Sequence, residues 1–302
     1  MGSITCRCSL GARLCFCFAL VVTLAAISIG GASEAEGDRL RITWEDDILT
    51  IHDERLPEGH LETWYLEAYC RAGSTDRDWA ETVIGHETEL IEADEADEAD
   101  EADGRIHLRC ELSDGVIVEH ILTAGEDEVD IRITAHNPTQ RTSAAHWAQP
   151  CARVGRFTGH PGDQSGTEYD YLEKSFVFID GELERMPTRD WATEARYEPG
   201  QVWSAPGVDR DDVNPRPLNP HVPTYGLIGC FSDDDSLIFA VAFEPYQELF
   251  QGVIQCLHAD FRIGGLEPGE THEVRGKIYI VDNDVEALLD RYRTDFPQQV
   301  RK

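Results

Sequence analysis

A polar stripe near the carboxyl end of the sequence holds residues suited to ligand binding. His258, Asp260 and Arg262 share one parity of an alternating segment, whereas Leu257 and Phe261 share the other. Successive side chains of a β-strand point to opposite faces, so the three polar groups would line one face. Imidazole, carboxylate and guanidinium groups suit sugar hydroxyls or a carboxylate. The pattern therefore indicates a ligand face, and the alternative is a solvated sheet face with one local salt bridge.

The preceding apolar strand ends in a second group that could take part in catalysis, the carboxylate of Glu244. Pro245 and Tyr246 follow it directly. A carboxylate at a strand end beside such residues is placed to become a partly desolvated general base.

Period-two alternation dominates the segments that must position these groups. Residues 106–112 and 116–122 alternate around a Ser113-Asp114-Gly115 turn, and a third such segment ends at Asn137-Pro138. Further strand pairs flank Asp180-Gly181 and residues 232–235. Short strands separated by turns predict a mostly β fold, a large antiparallel β-sandwich or barrel.

Two segments depart from this alternation. Residues 197–223 are rich in Pro, Asp and Asn and predict a long irregular loop, a kind of segment that is often functional. Near the end of the chain, apolar residues recur at helical spacing over residues 284–296, with Asn283 as the expected N-cap. We expect this single C-terminal helix to pack its apolar stripe on the outside of a sheet.

The amino-terminal segment carries the pattern of an export signal. Arg7 and Arg13 precede an apolar run over residues 14–29, and small residues follow it at 30–32. The run is shorter than the roughly 20 residues that span a bilayer, which disfavours a retained anchor. The sequence predicts a signal peptide over residues 1–32 and a periplasmic or extracellular protein without membrane insertion after cleavage. Residues 33–302, about 270 residues, would form a single domain.

The net charge of the chain argues against some classes of binding partner. The net charge of −32 disfavours nucleic acid and anionic membranes. Part of the acidity lies in a fourfold Glu-Ala-Asp repeat over residues 92–103, which predicts a solvated loop between two strands.

Five cysteines remain after signal removal: Cys70, Cys110, Cys151, Cys230 and Cys256. They allow at most two disulfides. Alternatively, several of them are simply buried apolar residues.

Several common catalytic signatures are absent from the sequence. It contains no GxSxG, HExxH, Walker or dinucleotide-binding glycine motif. We therefore expect neither a cofactor nor a metal. His120 occupies one of the alternate positions of its strand that otherwise hold apolar residues, and it is expected to be a core histidine.

Two short motifs resemble the aldose 1-epimerase (galactose mutarotase) superfamily. The carboxyl-terminal motif is Phe243-Glu244-Pro245-Tyr246-Gln247, followed by Leu266-Glu267-Pro268-Gly269-Glu270. The central motif runs from Ile133 to Thr139 and continues in Ala144-Ala145-His146-Trp147. The resemblance implies a divergent member with a mutarotase-like sandwich, a fold that also serves noncatalytic sugar binding and polysaccharide-degrading enzymes.

The resemblance also implies roles for individual residues. His146 matches the family's general acid and Glu244 its general base, which together would open a sugar ring. The segment after His146 departs from the family pattern. Apart from the resemblance, in a glycan-binding protein Trp147 or Tyr246 would stack on sugar rings, and Gln149 is a further candidate for substrate binding. Structural roles are the alternatives: His146 capping a turn, Trp147 in the core and Glu244 paired with Arg262.

Three functions are consistent with these observations. The first is an exported carbohydrate-active enzyme, with epimerase, lyase or hydrolase chemistry that depends on Glu244 and His146. The second is a noncatalytic module that binds a glycan on the face of His258, Asp260 and Arg262. The third is a structural envelope protein in which the sandwich is a scaffold.

Overall fold

The structure, a computed structural model, describes residues 40–94, 104–160 and 170–299. The predicted signal peptide at 1–32, the expected domain start at residue 33 and most of the acidic repeat lie outside these residues. Among the described residues, no helix is long and apolar enough to cross a membrane.

Antiparallel strands account for most of the regular structure. In chain order they are β1 (Arg41–Glu45), β2 (Ile48–His52), β3 (His60–Arg71), β4 (Val83–Ile84), β5 (His86–Asp94), β6 (Arg105–Leu112), β7 (Ile117–Ala124), β8 (Glu128–His136), β9 (Ala145–Arg153), β10 (Ser175–Ile179), β11 (Glu182–Arg185), β12 (Gln201–Ser204), β13 (Leu227–Phe231), β14 (Leu237–Glu244), β15 (Tyr246–Gln251), β16 (Cys256–Arg262) and β17 (Thr271–Asp282). The α-helices of the described residues are a single turn, α1 (Trp79–Thr82), and the carboxyl-terminal α2 (Val285–Asp295).

The strands form two antiparallel sheets. The first, called here the site sheet, has the order β1-β2-β3-β9-β16-β15-β12, with β4 paired to β3. The second, called the helix sheet, has the order β11-β10-β13-β14-β17-β8-β7-β6-β5. The predicted mostly β, antiparallel sandwich with one carboxyl-terminal helix is confirmed.

One apolar core fills the space between the sheets. Alternate residues of the site sheet, such as Leu257 and Phe261, join alternate residues of the helix sheet, such as Val118 and Ile131. His120 lies in this core, where Tyr65 Oη is 3.1 Å from its Nδ1 and Tyr69 Oη is 2.8 Å from its Nε2. Burial lowers the pKa of His120 to about 3, so the core histidine is neutral, as its parity predicted.

The α2 helix packs on the outer face of the helix sheet, as predicted. Leu288, Leu289 and Tyr292 are buried against Phe178 and Ala240. The expected N-cap was wrong by one residue, because the side chain of Asp284, not Asn283, accepts the N–H of Ala287 at 3.0 Å. Asn283 instead donates to the carbonyl of Asp235 at 2.7 Å.

The long loop and the acidic repeat each contain a strand residue or strand that the sequence did not predict. Residues 197–223, predicted as a loop, include the strand β12. This strand pairs with β15. The acidic repeat begins inside β5, where Glu92 and Asp94 pair with His107 and Arg105. Residues 95–103 of the repeat lie outside the described residues.

Candidate functional site

The outer face of the site sheet carries the polar stripe that the sequence singled out. Leu257, Ala259 and Phe261 belong to the core between the sheets, so the alternate residues His258 and Asp260 point away from it. Both are nevertheless almost completely buried, at 1% and 0% exposure. The stripe is therefore not the solvated sheet face that was the alternative interpretation.

A segment of the long loop covers this face and accounts for its burial. The backbone N–H of Asn214 donates to Glu248 Oε2 at 2.9 Å, and Gln247 donates to the carbonyl of Asp212. Asp212 Oδ1 also accepts the backbone N–H of Gly73 at 2.9 Å. These bonds anchor the loop to β15 and to the turn after β3.

A pocket of about 330 Å³ remains between this loop and the sheet. Its polar walls include Glu67, Gln149 and Asn214, and its aromatic walls include Trp79 and Tyr197. Gln149 links the polar groups, because its Nε2 donates to Glu67 Oε2 at 2.9 Å while its Oε1 accepts from Asn214 Nδ2 at 3.1 Å. The amide and carboxylate groups are thus held in fixed positions. Cys256 and His258 also line the pocket.

Three carboxyl groups lie in or beside the pocket wall. Glu248 and Asp260 are direct partners across β15 and β16, and both are fully buried. Burial raises the pKa of Glu248 to about 8 and that of Asp260 well above its ordinary value. Burial also raises the pKa of Glu67. Two adjacent buried carboxyl groups cannot both ionise readily, so the Glu248–Asp260 pair retains a proton near neutral pH.

A thiol and an imidazole meet at the same pocket. Cys256 Sγ is 3.1 Å from His258 Nε2. His258 Nδ1 lies 3.9 Å from Glu67 Oε2 and 3.8 Å from Asp260 Oδ1. Burial alone would raise the pKa of Cys256, but its contacts with Cys151 and His258 outweigh burial and lower that pKa. The cysteine thiolate in turn raises the pKa of His258 against the effect of burial.

The predicted residues Arg262 and His146 meet at a neighbouring carboxylate. Arg262 Nη1 is 3.7 Å and His146 Nδ1 is 3.5 Å from Asp212 Oδ2. Arg262 also donates to Gln247. Neither residue is among those that line the 330 Å³ pocket.

Glu244 and Tyr246 lie elsewhere, in a second pocket of about 230 Å³. The carboxylate of Glu244 pairs with Arg275 on β17, so the alternative pairing with Arg262 is not the one observed. His146 does not line this second pocket. Neither of these two pockets is lined by both the predicted acid and the predicted base, and their catalytic roles stay predictions from the resemblance.

The two remaining predicted residues have contrasting positions. Gln149 lines the pocket, and its role in binding stays a prediction. Trp147 has 0% exposure and packs against Cys70, Ala68 and Trp79. Its ring lies in the core, the position of the structural alternative, and Trp79 is the tryptophan that lines the pocket.

Sequence reasoning missed Glu67, Asn214 and Glu248 as site residues. Glu67 had a visible signal, since it is an acidic residue within the apolar run Tyr65-Leu66-Glu67-Ala68-Tyr69. The five cysteines of the described residues are all buried free thiols, with no disulfide among them, although Cys151 lies beside Cys256.

Comparisons with known proteins give structural similarity alone. No family model matches the sequence, and no curated protein matches it. Among solved structures, a protein of Escherichia coli K12 provisionally described as an aldose 1-epimerase has a TM-score of 0.39 at 10% identity, over 80% of this chain and 98% of that one. A galactose mutarotase-like protein from Lactobacillus casei ATCC 334 has a TM-score of 0.35 at 8% identity, over 80% of this chain and 99% of that one.

A larger enzyme shows a similar level of likeness. The alpha-N-acetylgalactosaminidase NagBb from Bifidobacterium bifidum has a TM-score of 0.43 at 9% identity, over 87% of this chain and 38% of that one. The structural neighbours of this chain thus include aldose 1-epimerase and galactose mutarotase-like proteins, as the sequence resemblance implied, and the likeness concerns the arrangement of strands alone.

Proposed function

We propose that this protein binds a sugar unit of a carbohydrate in the 330 Å³ pocket on the outer face of the site sheet. The observation that carries the proposal is the combination of aromatic and fixed polar walls in one pocket: Trp79 and Tyr197 beside Gln149, Asn214 and Glu67. Aromatic rings pack on the apolar faces of sugars, while amides and carboxylates pair with their hydroxyls.

The size and composition of the pocket support this ligand class. Small-molecule pockets span roughly 300–1,000 Å³, so this one suits one or two sugar units. The Gln149 bridge orders Glu67 and Asn214 before a ligand arrives, which reduces the entropy cost of binding. The acidic surface disfavours a nucleic-acid ligand.

Catalysis is a second candidate function, and the position of Glu67 favours it. This carboxyl group lines the pocket and is held by the 2.9 Å bond from Gln149. A carboxyl group fixed beside a sugar can transfer a proton in epimerase, lyase or hydrolase chemistry. The alternative with the same pocket is a noncatalytic glycan-binding module.

We also propose that the protein works outside the cytoplasm, as a periplasmic or extracellular protein. The export signal over residues 1–32 supports this location on its sequence pattern alone. A carbohydrate beyond the membrane, such as an oligosaccharide or polysaccharide, is the ligand class consistent with export.

Binding can be tested with a panel of neutral and uronic-acid oligosaccharides, followed by calorimetric titration with the tightest binder. Asn214→Ala removes a pocket amide but keeps the backbone bond to Glu248, so we expect affinity to fall about tenfold or more. Gln298→Ala, in the second pocket, is the matched control and should bind like the wild type. Lack of binding to every sugar, or equal losses in both variants, would refute the proposal.

Turnover separates the catalytic candidate from the binding module. The panel sugars are incubated with the wild type and with Glu67→Gln, and products are followed by chromatography and by polarimetry for mutarotation. A catalytic Glu67 predicts nearly unchanged affinity in the variant with a rate loss of about 100-fold or more. Binding without turnover by the wild type selects the noncatalytic module.

A further inference from the structure

We propose that Cys151, Cys256 and His258 form a metal site for Zn²⁺ beside the pocket. Their ligand atoms, two thiol sulfurs and a ring nitrogen, all lie within 4.8 Å of one another. This inference is independent of the sugar proposal, because it concerns metal binding by the protein alone.

The spacing of the three atoms is close to that of a zinc centre. Zn–S bonds of about 2.3 Å and Zn–N bonds of about 2.0–2.1 Å in a tetrahedron put ligand atoms about 3.5–3.8 Å apart. Cys256 Sγ and His258 Nε2 are 3.1 Å apart, so a small opening of this contact would admit the ion. Paired thiols with imidazole are a soft donor set that favours zinc over calcium or magnesium.

The second ring nitrogen of His258, Nδ1, has the surroundings found in a metal-bound histidine. Nδ1 is buried without a hydrogen-bond partner and faces the carboxyl groups of Glu67 and Asp260 at 3.9 and 3.8 Å. A histidine that binds a metal through Nε2 commonly donates Nδ1–H to a carboxylate, which fixes its tautomer and orientation. Occupation of the site would give this unpaired nitrogen a defined role.

Gly252 keeps the space beside the donors open. A Cβ at this position would lie 2.2 Å from Cys256 Sγ and 2.9 Å from His258 Nε2. Gly252, Cys256 and His258 all line the pocket, so the fourth coordination position would face it. Three protein ligands with an open fourth position are typical of catalytic rather than structural zinc sites.

Binding is a proton exchange without electron transfer. Each thiol that is protonated releases its proton to solvent as a metal–sulfur bond forms, and the zinc remains divalent throughout. Affinity should therefore fall as pH is lowered.

The test uses the full mature chain, reduced and freed of metal, with Zn²⁺ and with Co²⁺ as a spectroscopic substitute. We expect one Zn²⁺ per chain, a thiolate-to-cobalt charge-transfer band in the near ultraviolet, and a higher melting temperature with Zn²⁺. Cys256→Ala and His258→Gln should each weaken Zn²⁺ binding about 100-fold or more. Cys230→Ala removes another buried free thiol, from the helix sheet, and should leave binding unchanged.

Two further measurements keep the proposal testable if a ligand variant fails to fold. Gly252→Ala should abolish the cobalt band by filling the space beside the sulfur, and competition with a chromophoric chelator measures wild-type affinity directly. Absence of the band in wild-type protein with all five thiols reduced would overturn the proposal. So would an equal loss of binding in Cys230→Ala.

Discussion

Two carboxyl groups are buried side by side at the pocket, and their ionisation should govern how stability depends on pH. An unfolded glutamate ionises near pH 4.5, whereas burial raises the pKa of Glu248 to about 8. Between these values the folded protein keeps a proton that the unfolded chain has released. The free energy of unfolding should therefore fall as pH rises through this window, by up to about 1.4 kcal/mol per pH unit from this group.

Urea unfolding of metal-free protein between pH 5 and 9 measures this effect. Glu248→Gln keeps an acceptor for the N–H of Asn214 but does not ionise, so its stability should depend less steeply on pH than that of the wild type. Glu273→Gln changes an exposed carboxylate and serves as the control. A Glu248→Gln variant with the wild-type slope would contradict the assignment.

At the residue scale, the sequence predicted which residues of a strand share a face, but not the contacts between distant segments that build the pocket. Parity placed His258 and Asp260 on one face, because alternation is a local property of a strand. It could not show that a loop near residue 214 covers that face, since the contact between Asn214 and Glu248 joins residues 34 positions apart. The resemblance singled out Glu244 and His146, and neither of the two pockets described above is lined by both residues.

At the scale of elements, alternation and turn residues predicted the hairpins of β6, β7 and β8 because each depends on neighbouring segments. The strand β12 escaped detection, since its four residues lie among Pro, Asp and Asn and gain their partner only from distant β15. The helix was predicted, but its first residue was not, as Asn283 and Asp284 are both good N-cap residues.

The choice between these two caps can be measured. Asp284→Ala removes the acceptor for the N–H of Ala287 and should lower the free energy of unfolding by about 1 kcal/mol. Asn283→Ala loses only an exposed bond to the carbonyl of Asp235 and should cost less than half as much. Chemical denaturation of both variants gives the comparison, and a larger loss for Asn283→Ala would show that the cap is misassigned.

At the scale of the whole molecule, part of the negative charge belongs to the acidic repeat of the sequence. Residues 95–103 carry six of the acidic groups, and the strands on either side pair with each other at Asp94 and Arg105. Replacing this segment with a short Gly-Ser linker should preserve the fold and sugar affinity. It should also raise the melting temperature slightly at low salt, because repulsion among like charges decreases.

Melting curves at low and high salt, with a binding titration, test this independence. Wild type and linker variant should converge in melting temperature as salt screens the charges. A tenfold loss of sugar affinity in the linker variant would mean that the repeat contributes to the site.

The central claim is that the pocket beneath the long loop receives a sugar. A crystal structure of the protein with the tightest-binding oligosaccharide tests it most directly. We expect a sugar ring against Trp79 or Tyr197, with hydroxyls bonded to Gln149, Asn214 or Glu67. A sugar bound instead beside Glu244 and Tyr246, with the first pocket free of ligand, would contradict the account.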